Sequence, residues 1–236
     1  MSDVPRWDRT EVAKAALGDA YAERPAIERD TRIKGGVYYG ASREAISVNP
    51  SDYPAVYSDL YSAARRRAMT GGSIEPGKIL RAVYKTVLWS MPYTQKDVQQ
   101  LLQNEAQSRG LAKFPPGKVI DLGAFMKQHV GVCRHQALAC AMLLETFKDD
   151  GFLIGNVSVE RNSRWDPKRE QTDGHAWARY TSQNRQVVIL DVAQRYFGPL
   201  GTLEELGSRW NYMRPEEQAS EAATTIARII FSNDQD

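Results

Sequence analysis

The sequence predicts an α+β protein, and three observations carry that prediction. Between about residues 75 and 145, apolar side chains recur at helical spacing. From residue 151 the period changes to two, or to short apolar runs, in "GFLIGNVSVE" (151–160), "GHAWARY" (174–180) and "QVVILDV" (186–192). Several helices followed by consecutive strands favour an antiparallel sheet with a helix packed against it.

Taken in order, residues 1–35 are charged and alanine-rich, with a helical pattern around 10–23 and Pro25 after it, and read as a peripheral arm. "YSDLYSAARRRAM" (57–69) reads as a helix that Gly71-Gly72 ends, so residues 1–70 form an N-terminal arm and helical extension. "EPGKILRAVYKTVLWSM" places Ile79, Leu80, Val83, Val87 and Leu88 on one stripe, and Pro92 stops that helix. "TQKDVQQLLQNEAQSRG" is a second amphipathic helix ending at Gly110, and "DLGAFMKQHVG" is a short third one closed by Gly131. A fourth helix starts at or near Cys133 and turns Ala137, Cys140, Ala141 and Leu144 inward. The charged insert "RNSRWDPKREQTD" (161–173) is expected to be a loop at the mouth of a cleft, and a helix over 215–231 closes the chain.

Composition narrows the function classes. A chain of 236 residues suffices for one substantial core, and a net charge of +2 gives no ground for a nucleic-acid partner. The run Arg65-Arg66-Arg67 reads as a solvated helix end, where cations suit the dipole. Cys133 and Cys140 lie on one predicted helix with Cα atoms roughly 10 Å apart, too far for a disulfide. Unpaired thiols fit a reducing compartment. The N-terminus has no apolar signal region and no stretch reaches membrane-spanning length, so the expectation is a cytoplasmic protein without membrane contact, export by another route remaining open. His129, Cys133 and His135 are close in sequence, but 133 and 135 diverge around a helix; neither metal nor cofactor is expected.

Cys133 sits where a helix would begin. The positive end of the helix dipole lowers a thiol pKa, and the unpaired N–H groups of the first turn can stabilise an oxyanion. A thiol nucleophile also needs an imidazole and a group to orient it. Of three histidines, His129 and His135 flank the cysteine and read as surface or capping residues. His175 opens the strand "GHAWARY", and Asp191 lies on the next strand. If the hairpin turn centres on Gln183, paired residue numbers total 366 and His175 stands opposite Asp191, close enough to hydrogen-bond.

"GVCRHQALACAMLLE", "GHAWARY" and "VVILDV", in that order, resemble the transglutaminase-like superfamily of papain-related thiol enzymes, whose pattern is G-x-C-x-x-x-A at a helix start, a later H-A-W strand, and an aliphatic-Asp strand. The resemblance spans about 75–195 and implies a papain/transglutaminase-like core within a catalytic domain over 71–236. It implies Cys133 as nucleophile, His175 as base and acid, and Asp191 as the residue orienting His175. "LWSMPY" resembles the family's approach to its site, which makes Tyr93 a candidate oxyanion donor or pocket wall, with core packing as the alternative. Gln128 is a second oxyanion candidate, with helix capping as the alternative. The aspartate is often followed by proline in that family; here the sequence is "DVAQ".

The implied activity is that of a thiol amidase acting on a peptide or protein substrate. Hydrolysis by a cysteine protease is the leading expectation, because the accessory domains of eukaryotic-type transglutaminases are missing from a chain of this length. Transglutaminase or deamidase chemistry, as in an effector or toxin, is the first alternative, and a non-catalytic peptide-binding module is the second.

Overall fold

A computed structural model describes residues 24–39, 43–115, 118–166, 170–201 and 210–218. It is a mixed α+β structure with helices and antiparallel sheets. Two compact units divide it, Met1–Gly198 and Pro199–Asp236.

The first unit begins with β1 (Val37–Tyr38) antiparallel to β2 (Ala45–Ser47), and β2 in turn runs parallel to β5 (Val119–Asp121). Between β2 and β5 come three helices. Pro54 at the first position of α1 (Pro54–Ala68) suits a turn whose N–H has no partner in any case. Arg65, Arg66 and Arg67 are all exposed in its last turn. Gly71 and Gly72, at φ of 58° and 87°, then form the two-residue turn of a small ribbon, β3 (Met69–Thr70) with β4 (Ser73–Ile74). α2 (Pro76–Ser90) buries Ile79, Val83 and Val87, as its stripe predicts, while Leu80 and Leu88 are only half-buried. α3 (Gln95–Ser108) starts at Thr94, whose hydroxyl oxygen accepts from Asp97 N.

Part of the segment set apart as an N-terminal extension belongs to the main core: Ile27, Ile33, Tyr38, Ile46, Tyr57 and Leu60 cluster with residues of the later helices and strands. One buried carboxylate organises this junction. Asp121 accepts from Ser47 Oγ, Asn49 N, Tyr57 Oη and Gly123 N, all at 2.8–2.9 Å, and so ties β2, α1 and the start of α4 (Leu122–Lys127) to β5. The end of α4 differs from expectation. His129, not Gly131, takes the left-handed conformation (φ 55°), and the bonds His129 N→Met126 O and Val130 N→Phe125 O close the helix two residues sooner.

α5 (Cys133–Asp149) is the central helix. Leu138, Leu143, Leu144 and Phe147 are fully buried, each worth about 1.5–3 kcal/mol relative to exposure. Twelve of its 17 residues are buried, so it is covered on nearly every side rather than along one stripe. It packs against β7 (Gln171–Thr181), β6 (Asn156–Asp166) and α2. The strands form a sheet of order β6-β7-β8-β9, with β8 at Val187–Asp191 and β9 at Tyr196–Pro199. Ala176, Ala178, Tyr180, Val157, Val159 and Leu190 all join the main core.

The insert 161–173 is not one loop. β6 and β7 stay paired from Asn156↔Thr181 out to Asp166↔Gln171, so most of its length is a ladder. In the second unit Trp210 and Tyr212 are buried and residues 215–218 form a helical turn. The remainder of the helix expected to 231, and the helical pattern at 10–23, lie outside the described residues.

Candidate active site

Local sequence explains why the three candidate side chains meet. Cys133 is the first residue of α5, after extended Val132, and is partly exposed, whereas Cys140, two turns on, is fully buried. His175 lies on β7 and Asp191 ends β8; both are buried. His175 Nε2 is 2.5 Å from Asp191 Oδ2. The other oxygen, Oδ1, accepts from Gln194 N at 3.0 Å, a bond that holds the "DVAQ" turn where the resembling family often has proline. The Trp177 ring lies 5.9 Å from that of His175 at an angle of 32° and packs beside it.

The register differs from prediction in an instructive way. Ala178 pairs with Leu190 and Arg179 with Ile189, so paired numbers total 368 rather than 366. The loop is Gln183-Asn184-Arg185: Arg185 N donates to Ser182 O at 3.0 Å, and Arg185 itself is left-handed at φ 60°. Glycine usually marks that last position, and here an arginine fills it. A shift of two leaves every side chain on its face, because the strand period is two. His175 and Asp191 are therefore diagonal rather than directly opposed neighbours, and the histidine's length spans the diagonal.

The electrostatics favour a charged pair. Burial alone would raise the Cys133 thiol. The hydrogen bond and charge of His175 outweigh it, with help from Arg134 and the Ala176 backbone N–H, and hold the thiol below its ordinary value. Burial likewise opposes charge on His175, but its bonds to Asp191 and Cys133 raise it to about 9. With Nε2 engaged by Asp191, Nδ1 is the ring nitrogen for the thiol. Burial, with the Asp191 charge, instead pushes the Cys140 thiol far up, which keeps it protonated.

The two oxyanion candidates separate. Tyr93 is 55% exposed, so core packing does not explain it. Its backbone bridges Gly131 in parallel, with Thr94 N donating to Gly131 O at 2.9 Å, which brings it alongside the turn before Cys133. Gln128 is the C-cap residue of α4 and lines a groove with Tyr53, Asp97, Asn104 and Glu105; that groove's lining contains none of Cys133, His175 or Asp191.

His129 is exposed, with Nδ1 3.1 Å from Ser90 O. His135 is a capping residue but not a surface one: it is fully buried and accepts from Val132 N. Arg134 and Glu44 form a buried ion pair, Nε to Oε1 at 3.0 Å, which the spacing of the motifs does not announce. Glu44 comes from a segment with no periodic signal. Among the described residues, no three or more His, Cys, Asp or Glu side chains are grouped so as to hold a metal ion, and no helix is long and apolar enough to cross a membrane. Neither a protein-family model nor a curated protein sequence matches the chain.

Proposed function

We propose that the protein is a thiol amidase acting on peptide or protein amides, with Cys133 as nucleophile, His175 as general base and acid, and Asp191 orienting the imidazole. The observation that carries the proposal is the charged pair: a helix-start thiol held low beside an imidazole held up to about 9, itself bonded to a buried carboxylate at 2.5 Å. The resemblance to transglutaminase-like enzymes, and the packing of α5 on β7, point the same way.

In the proposed reaction the Cys133 thiolate attacks the amide carbon and the carbonyl π electrons move to oxygen. The oxyanion lies near the first-turn N–H groups of α5, with Tyr93 beside the turn that precedes them. His175 gives its Nδ1 proton to the amine as the C–N bond breaks, leaving a thioester. His175 then takes a proton from water, the hydroxide adds to the thioester carbon, and the thiolate leaves as a carboxylic acid forms. We take hydrolysis of a peptide bond as the leading outcome. An amine in place of water gives transamidation, and attack on a glutamine side chain gives deamidation.

Incubation of a mixed peptide library with wild-type protein and with Cys133→Ala, followed by mass spectrometry, tests this. New peptide termini with the wild type alone support the protease. Glutamate in place of glutamine without chain cleavage, or an added amine, selects the other acyl-transfer outcomes. No change in any peptide or protein offered, with Cys133 no more reactive than an ordinary thiol, returns the fold to a binding role.

A further inference from the structure

The turn in front of Cys133 is held by a side chain that points back at it. Val132 is 3% exposed, so its backbone N–H, which precedes the helix and lacks an intrahelical partner, has little access to water. His135 supplies the acceptor: Nδ1 receives that N–H at 3.1 Å. The neutral ring therefore carries its proton on Nε2, which stands 3.3 Å from Glu44 Oε1, close but off the line of a good hydrogen bond. The same Oε1 receives both Nε and Nη2 of Arg134, the residue after the thiol. Phe125 packs against the ring, with centroids 4.0 Å apart. A Cβ on Gly131 would come within 3.2 Å of Met91 Cε and 3.4 Å of His135 Cβ, so the turn runs closely between the Met91 side chain and the base of the His135 side chain.

We propose that His135 is a positioning residue for the Cys133 thiol. Its ring holds the Val132 amide, Glu44 and Phe125 hold the ring, and the turn so fixed aims the sulfur at His175. The role rests on the thiol chemistry proposed above. It gives the buried Glu44, ninety residues away in sequence from Arg134, a purpose at the site.

The test is the pH profile of Cys133 alkylation by iodoacetamide in folded protein, read by mass spectrometry, in wild type, His135→Asn and His135→Leu. Asparagine offers Oδ1 near the position of Nδ1 and keeps an acceptor; leucine keeps bulk and offers none. We expect the asparagine variant to keep the wild-type reactivity at pH 6, and the leucine variant to lose about tenfold, the equivalent of one buried hydrogen bond. Where the leucine variant does not fold, the asparagine variant decides. Asparagine losing the reactivity, or leucine keeping it, overturns the proposal. A wild-type Cys133 without reactivity at pH 6 overturns the thiol reading itself, and the role of His135 with it.

Discussion

His175 and Asp191 meet on the diagonal of the β7–β8 ladder, Nε2 to Oδ2 at 2.5 Å, while Oδ1 of the same carboxylate is tied to Gln194 N. That double engagement makes Asp191→Asn informative. The variant's Oδ1 stays with Gln194, so its amide nitrogen faces His175 as a donor. Nε2 must then accept, the ring proton moves to Nδ1, and the imidazole can no longer take a proton from the thiol. Turnover should fall by a hundredfold or more, on the order expected for a wrong tautomer, with KM little changed. Undiminished turnover would remove Asp191 from the site.

The hairpin loop offers a geometric version of the same experiment. One residue inserted beside Asn184 shifts the register by one and carries Asp191 to the other face of the sheet. Activity should be lost, with the sheet still visible by circular dichroism. A second insertion restores the parity and should restore part of the activity.

The two cysteines should behave oppositely. Cys133→Ala removes a partly exposed thiol and should abolish turnover with little change in thermal stability. Cys140→Ala empties part of a fully buried site, costs about 1 kcal/mol, and should leave turnover near normal. An essential Cys140 would contradict the assignment.

Activity against pH should be bell-shaped. In the proposed mechanism the reactive form has Cys133 ionised and His175 protonated. The acid limb follows the thiol, which is held below its ordinary value, and the alkaline limb follows His175 near pH 9. In Asp191→Asn the alkaline limb should move toward lower pH, because the carboxylate that raises the imidazole is gone. An alkaline limb unmoved by that substitution would mean His175 is not the titrating group.

Acid should weaken the fold through the cluster at the α5 start. Burial and the Arg134 charge hold His135 down to about 4 against the pull of Glu44. Burial would raise Glu44, but His135 and Arg134 hold it down to about 2. Both groups are deprotonated in the fold and bind protons more readily once unfolded, near 6.5 and 4.5. The stabilising difference is complete above pH 6.5 and is lost as pH falls through 4 toward 2. Thermal melting across this range should show the loss, and His135→Asn should remove its upper part. A melting temperature independent of pH from 6.5 to 4 in the wild type would contradict the buried, neutral His135.

Much of this was legible in the sequence, for identifiable reasons. α2, α3 and α5 carry long periodic patterns with Pro76, Thr94 and Gly110 at their ends, and each appears within a residue or two of expectation. The face shared by His175 and Asp191 was also readable, because a period of two tolerates an error of two. The short strands β1, β2 and β5 were not, since two or three residues hold no period. Arg185 and His129 hid a hairpin register and a helix end, because each holds a left-handed position where sequence reading looks for glycine. The pairing of Glu44 with Arg134 depends on tertiary approach alone.

The parallel pairing of β2 with β5 also favours one order of events in folding. His175 and Asp191 are 16 residues apart and can meet as soon as one hairpin closes, whereas Ser47 and Asp121 are separated by 74 residues and Glu44 and Arg134 by 90. Long-range pairing, parallel pairing above all, is slow compared with forming a local hairpin. The imidazole and its carboxylate should therefore assemble early, and the turn that aims the sulfur should assemble last. During refolding, hydrogen exchange should protect the β7–β8 amides before that of Val132, and a chain caught between the two stages would hold a finished acid–base pair with no nucleophile to serve.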